Sequence, residues 1–216
     1  MPRAAFFDLD NTVLRIDTGA SYARFRYRRG ELRRRELTKS VYWGLLYKAA
    51  VLDLDVLATK LVAGIAGAPE AEMRAACAEW APRDVLPQIA GPARAAIARH
   101  QAAGDVVALL TGATQYAADP VAAHLGIAHV LSTRLEVECG HFTGRMAARG
   151  FGVHKVEQAE QFAKAHDLDL GASWFYSDSY HDRPMLERVG HPVAVNPDVR
   201  LGRLARARGW RAERWR

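Results

Sequence analysis

Cysteine is scarce in this chain of 216 residues. There are two, Cys77 and Cys139, far apart and outside any CxxC or Cys/His spacing that would hold zinc. That argues against a disulfide scaffold and a zinc module, and it suits a reducing, cytoplasmic compartment. No apolar run is both long enough and free enough of charge to span a bilayer. The greasiest stretch, Ser40 to Ala68, is broken by Lys48, Asp53, Asp55 and Lys60 and reads as amphipathic helix. The N-terminus does not read as a secretory leader, because Asp8 and Asp10 interrupt the apolar run a leader needs. Internal repeats and low-complexity linkers are absent too. The length suits one large domain, or one domain with a small insertion, and a composition half apolar and one quarter charged is that of a globular chain.

Acidic charge is outnumbered: 30 Lys+Arg stand against 24 Asp+Glu, a net charge of +6. Arginines cluster from Arg24 to Lys39 and from Arg200 to Arg216. Two readings stay open. The clusters are solvated helix faces, or they attract an anionic partner such as a phosphorylated substrate or a lipid surface. Aromatics beside basic residues, at Tyr42-Trp43 and Leu45-Leu46-Tyr47, keep peripheral membrane contact open. Nucleic acid is not an expected partner, since no reading motif accompanies the basic clusters. Oligomeric state is not legible.

The pattern of elements is more informative. Ala4–Phe7 is a short apolar run ending in carboxylates, as a buried parallel strand does. From Thr18 to Trp80 the texture is helical throughout. After Pro87, helix and strand signals alternate. Helices are expected at 89–103, 116–125, 154–166, 182–189 and 199–208. Strands are expected at 105–111, 129–132, 173–177 and 192–196, with a hairpin over 135–146 turning at Gly140. Such alternation implies an α/β fold, a Rossmann-like core with a parallel sheet and helices on both faces. The helical block interrupts it after the first strand. The expected organisation is a core of residues 1–14 and 88–216 with an all-helical insertion at 15–87.

In open α/β sheets, ligands bind beyond the carboxyl ends of the strands. Polar residues gather there: Asp8, Asp10 and Thr12 after the first strand, Thr111-Gly112 after the second, Asp178 and Asp182 after the SWFYS strand, and Lys155 at a helix start. Several carboxylates in one crevice need a cation, and a hard all-oxygen set favours Mg²⁺. Asp8 and Asp10, two apart on an extended segment, share a face. One can attack phosphorus while the other protonates the leaving alcohol. Thr111 and the backbone at Gly112 can donate to phosphate oxygens. Lys164 and His154 compete with Lys155 for the cationic role.

The run FFDLDNTVL resembles motif one (DxDxT) of the haloacid dehalogenase (HAD) superfamily. LLTGAT resembles motif two, Lys155 motif three and SDSYHD motif four (DxxxD), all in the family's order. The helical block stands where that family carries a type-one cap. LEVECGHFTGRM and PVAVNPDVRLGRLARARGW resemble its phosphoserine-phosphatase-like branch, subfamily IB. The resemblance implies a Mg²⁺-dependent phosphatase working through an aspartyl-phosphate. Asp8 would be nucleophile and metal ligand. Asp10 would be general acid/base and a ligand through its carbonyl, Asp178 the third ligand, and Asp182 a support for the metal and Lys155. Thr12 would shape the loop, and Thr111, Gly112 and Lys155 would hold the phosphoryl group. Two positions depart from the branch: His181 replaces the usual Asn, and Asp17 replaces a longer Glu that reads a substrate amino group. Both are candidate substrate contacts, as is Arg24, although Asp17 and Arg24 can equally face solvent. The substrate read from this pattern is a small amino-alcohol phosphate such as histidinol phosphate or phosphoserine. The alternatives are a phospholipid phosphate such as phosphatidylglycerophosphate, a phosphomutase reaction, or a non-catalytic anion-binding protein on the same fold.

Overall fold

Four consecutive fully buried residues, Ala4, Ala5, Phe6 and Phe7, organise the layers of the computed structural model, which describes residues 2–33 and 54–215. They form β1 (Ala4–Phe7). The other strands are β2 (Val106–Thr114), β3 (His129–Glu138), β4 (His141–Ala148), β5 (Trp174–Ser177), β6 (His191–Val195) and β7 (Arg211–Glu213). They make one sheet in the order β4-β3-β2-β1-β5-β6-β7. Every neighbouring pair is parallel except the β3–β4 hairpin.

Side chains alternate across a strand. Ala5 and Phe7 therefore join one core with Val107, Leu109 and Tyr176, while Ala4 and Phe6 join a second with Ala108, Leu110 and Phe175. Helices α1 (Thr18–Arg28), α2 (Leu54–Ala63), α3 (Glu70–Trp80), α4 (Gly91–Ala102) and α5 (Gln115–Leu125) belong to the first side. On the second lie α6 (Val153–Ala165), α7 (Arg183–Arg188) and α8 (Val199–Arg208). The sheet is covered on both faces, which is why its central strands are apolar throughout. Burying each core phenylalanine contributes about 1.5–3 kcal/mol.

Several boundaries differ from those read in the sequence. Ile89 and Ala90 lie outside α4. Ile89 bridges antiparallel to Leu14, Arg15 N–H donates to Gln88 O at 2.9 Å, and Ala90 N–H donates to Val13 O at 2.9 Å. The chain thus leaves β1 and returns to the sheet through one hydrogen-bonded neck. β3 runs unbroken from His129 into the hairpin, whose turn residues Cys139 and Gly140 have φ of 48° and 76°. Positive φ at both central positions is what a type I′ turn demands. β7 was not foreseen, because Arg-Ala-Glu carries no apolar alternation; its pairing with β6 is a backbone matter. The aromatic residues at 42–47 and the basic run 34–39 lie outside the described residues. Among the described residues no helix is long and apolar enough to cross a membrane.

One polar chain runs through the first core. Arg3 Nε donates to Asp105 at 2.6 Å, Asp105 meets His100 Nδ1 at 2.6 Å, and His100 Nε2 meets the Tyr176 hydroxyl at 2.9 Å. Burial alone would raise the Asp105 carboxyl, but hydrogen bonds from His100 and Arg3 outweigh it and hold it below the ordinary value. A depressed folded value means the stabilisation is present above the unfolded pKa and is lost as pH falls through the folded one. Asp105→Asn should therefore cost about 1.5–3 kcal/mol at neutral pH, the range for hydrogen bonds to a charged group. The gap to wild type should close below about pH 4. Urea unfolding at a series of pH values measures both.

Candidate active site

The backbone turns sharply as β1 ends. Asp8 N–H still donates to Tyr176 O of β5 at 2.9 Å. Leu9–Val13 then form a wide helical turn, with Val13 N–H on Asp8 O and Leu14 N–H on Leu9 O. The extended segment read from the sequence is corrected here. Asn11 takes φ 55°, a left-handed conformation that Asn tolerates better than most residues, and the chain wraps around instead of running straight. Asp10 is directed by helix α1: its carboxylate accepts from Thr18 N–H at 2.9 Å and Thr18 Oγ1 at 3.1 Å. Asp17 caps the same helix by accepting from Ala20 N–H at 2.8 Å. Thr12 is fully buried, and its hydroxyl has no hydrogen-bond partner among the described residues.

Lys155, at the first turn of α6, is buried, and its ammonium bridges two carboxylates. Nζ donates to Asp8 Oδ1 at 2.7 Å and to Asp182 Oδ2 at 2.6 Å. Ser177, the last residue of β5, donates its hydroxyl to the same Asp182 oxygen at 2.6 Å. Of the three cationic residues weighed from sequence, Lys155 is the one brought to Asp8. Lys164 is exposed, and His154 contacts Glu157 and Asp55. Burial alone would lower the Lys155 ammonium, yet Asp182 and Asp8 together hold it well above its usual value. Asp8 is pushed up to about 6, by burial first, with Lys155 pulling it down and Asp182 pushing it up. Asp10 is driven well above the carboxylate range by burial, then by Asp17 and Asp8. Asp178 rises to about 8, again through burial and then the charges of Asp8 and Asp182.

Thr111 is buried toward the end of β2, and its Oγ1 accepts from Ala113 N–H at 3.1 Å, which leaves the hydroxyl proton to donate elsewhere. Thr133 braces this loop: its hydroxyl donates to Gly112 O at 2.9 Å and accepts from Gly150 N–H at 3.1 Å. Gly150 lies so close to the Thr111 carbonyl oxygen that a methyl group there would collide with it. His181 sits in the short turn after Asp178, its N–H on Ser179 Oγ. Arg24 bonds back to Ala20 O on its own helix and is exposed. Ser177, Thr18 and Thr133 went unremarked in the sequence. Ser177 directly precedes Asp178 and was within reach of motif reasoning, whereas Thr133 shows its use only once β2 and β3 pair.

The sequence profile of haloacid dehalogenase-like hydrolases matches residues 5–187, the span that holds every residue of this cluster. The chain belongs to that family. Among its relatives, the phosphoserine phosphatase SerB1 of Mycobacterium tuberculosis is 36% identical over 217 residues, covering 96% of this chain and 69% of the relative. A histidinol-phosphatase of Neisseria meningitidis is 28% identical over 216 residues, covering 97% of each. A crystal structure of a protein of unknown function from Bordetella pertussis superposes with a TM-score of 0.88 at 32% identity, covering 99% of this chain and 98% of the other.

The donor set of this hydrolase suits a hard cation. Asp8, Asp10, Asp178 and Asp182 converge against one lysine, and that lysine is already shared between Asp8 and Asp182. The Asp178 carboxylate accepts no hydrogen bond among the described residues. Among the described residues no group of three or more His, Cys, Asp or Glu side chains is arranged to hold a metal ion by side chains alone. The candidate ligands are instead two carboxylates, Asp8 and Asp178, and the Asp10 carbonyl, an all-oxygen set. Removing the lysine tests the electrostatics directly. Lys155→Met should lower the unfolding free energy by about 3–5 kcal/mol in metal-free buffer, the cost of breaking a buried pair from one side. The loss should be greatest above about pH 8 and shrink toward pH 6, as the raised carboxyls take up protons and need no partner. Urea denaturation across that interval reads the trend.

Proposed function

We propose that this hydrolase is a phosphatase that releases inorganic phosphate from a small phosphorylated metabolite, with Asp8 as nucleophile and Asp10 as general acid and base. One observation carries the reading: two buried carboxyls, two residues apart, have different partners, the Lys155 ammonium for Asp8 and the neutral N–H and hydroxyl of Thr18 for Asp10. Asp8, paired with Lys155 and rising only to about 6, is ionised at neutral pH. Asp10 has no cation beside it, and burial with Asp17 and Asp8 as neighbours drives its carboxyl well above the ordinary range, the direction a proton donor needs. That is the division of labour an acyl-phosphate mechanism needs.

In the first step an Asp8 oxygen attacks phosphorus. The P–O bond to the alcohol breaks as Asp10 gives its proton to the departing oxygen, and an aspartyl-phosphate remains. In the second step Asp10 takes a proton from water, whose oxygen attacks the same phosphorus. Asp8 leaves as a carboxylate and inorganic phosphate is released. The Thr111 hydroxyl and the Gly112 N–H donate to phosphoryl oxygens, Lys155 balances their charge, and Thr12 shapes the turn. Asp8, Asp178 and the Asp10 carbonyl would hold Mg²⁺, with Asp182 in support. When bound, the ion supplies positive charge that offsets the crowded carboxylates and the phosphate.

For substrate we favour an amino-alcohol phosphate. The names of the two relatives above, a phosphoserine and a histidinol phosphatase, support that class. So does acidic Asp17, which we assign to a substrate ammonium group and whose charge is near enough to raise the Asp10 carboxyl. His181 is proposed as a second substrate contact. We assign the insertion at 15–87 as a cap that excludes water during attack. The Leu14–Ile89 neck supports this, because the insertion leaves and rejoins the core there. It also meets the hairpin, where Gly67 N–H donates to Phe142 O and Glu70 N–H to Gly140 O, and α5, where the Tyr116 hydroxyl donates to Glu70.

Phosphate release should be measured with Mg²⁺ from a panel of phosphoserine, histidinol phosphate and a phospholipid phosphate. Asp8→Asn should lower kcat by at least ~10³-fold with the fold intact. Chelation should abolish activity and added Mg²⁺ should restore it. A fully active Asp8→Asn would overturn the mechanism. Absence of release from every compound by folded, Mg²⁺-supplied protein would favour the anion-binding alternative.

A further inference from the structure

The turn that carries Asp8 and Asp10 is secured by residues from the far edge of the sheet. Asn11, at its tip, holds φ 55°, a left-handed conformation that Asn tolerates better than most residues and that its neighbours hold in place here. Its N–H donates to Ile16 O at 3.0 Å. Its carbonyl accepts from Asn196 Nδ2 at 3.0 Å, across 185 residues of sequence. Asn196 is left-handed as well, at φ 44°, and is itself tied twice more. Its N–H donates to Glu213 O at 2.9 Å, and its Oδ1 accepts from Trp215 N–H at 2.8 Å. These partners settle which end of the amide is which: an N–H must meet the oxygen and a carbonyl must meet the nitrogen.

Trp215 is buried, its indole N–H donating to Glu213 at 2.7 Å and its ring 5.4 Å from that of Tyr176. Tyr176 O is the acceptor for Asp8 N–H. Both ends of the turn therefore rest on one support. The Asp8 end is held through Tyr176 and the Asn11 end through Asn196, with Trp215 touching both.

We propose that Asn196 is a positioning residue for phosphoryl transfer. It keeps Asn11 in the left-handed conformation and so sets the direction of Asp10 relative to Asp8, while Trp215 holds the Asn196 amide in place. Misplacement of a reacting group by about 1 Å can lower a rate on the order of 100-fold, so a single such bond matters. The inference rests on the phosphatase reading for its kinetic consequence, but its structural content is independent of that reading.

Two variants separate the bonds. Asn196→Gly accepts the left-handed backbone and removes both side-chain arms. Asn196→Asp keeps the acceptor for Trp215 and loses the donor to Asn11. Each is compared with wild type and Asp8→Asn on p-nitrophenyl phosphate with Mg²⁺, alongside thermal melting and amide hydrogen exchange. The expected result is a fall in kcat of roughly 10- to 100-fold with KM within about threefold. Melting temperature should stay within roughly 5 °C of wild type. Exchange at the Asn11 N–H should quicken by about tenfold while β2 amides stay unchanged. Wild-type kcat in Asn196→Asp, or unchanged Asn11 exchange in both variants, overturns the proposal. A loss of activity matched by a general fall in melting temperature also overturns it, since Asn196 would then serve only fold stability. If wild type itself releases no phosphate, the phosphatase reading fails, and Asn11 exchange still decides for or against the clamp.

Discussion

The buried ammonium of Lys155 is the interaction on which the arrangement turns. An isolated ion taken out of water costs several kcal/mol, and here three ionisable groups, Asp8, Asp182 and Lys155, are almost wholly enclosed. Each is tolerable only because the others are within hydrogen-bonding distance. The three residues come from the end of β1, the start of α6 and the turn after β5. Their meeting therefore requires the sheet order in which β1 lies between β2 and β5, with α6 packed over it. The fold brings these charges together, and the ion pairs limit the cost of doing so.

One lysine against four carboxylates leaves an excess of negative charge at the strand ends. The excess is graded. Asp182 is paired with Lys155 and bonded by Ser177, Asp8 is paired on one oxygen, and Asp178 and Asp10 form no ion pair among the described residues. The pKa displacements follow the same order, with Asp8 near 6, Asp178 near 8 and Asp10 driven well above the ordinary range. A bound divalent cation would change that grading most at Asp178 and Asp8, whose carboxylates are the candidate ligands. Asp10 differs, because its carboxylate is turned toward the N-terminus of α1 and is satisfied by Thr18.

Much of this was legible in the chain. The alternation after Pro87, the apolar run of β1 and the polar residues at strand ends specified the sheet and the chemistry expected at its edge. Those signals are local: periodicity and motif spacing depend on near neighbours. What escaped was long-range. β7 carries no hydrophobic pattern and exists because β6 offers it an open backbone edge. Thr133 matters because the β2–β3 register shifts between Thr111 and Thr114, so that Thr133 pairs with Thr114 and its hydroxyl reaches the Gly112 carbonyl in the irregular stretch. The turn at Leu9–Val13 was read as extended because a DxDxT string shows the carboxylates and not the left-handed Asn11 that bends the path between them.

The contrast between Asp8 and Asp10 shows how two identical side chains acquire different chemistry. Sequence separates them by a single leucine, and burial raises both. The difference lies in the partner each finds: an ammonium for Asp8, and a backbone N–H with a neutral hydroxyl for Asp10. An ammonium favours the charged carboxylate strongly. A neutral donor pair favours it weakly, too weakly to offset burial beside Asp17 and Asp8. Had the segment stayed extended, both carboxylates would have faced the same crevice. The helical turn prevents this by sending Asp10 toward α1. The left-handed conformation of Asn11 is thus a condition for the asymmetry on which the proposed chemistry depends.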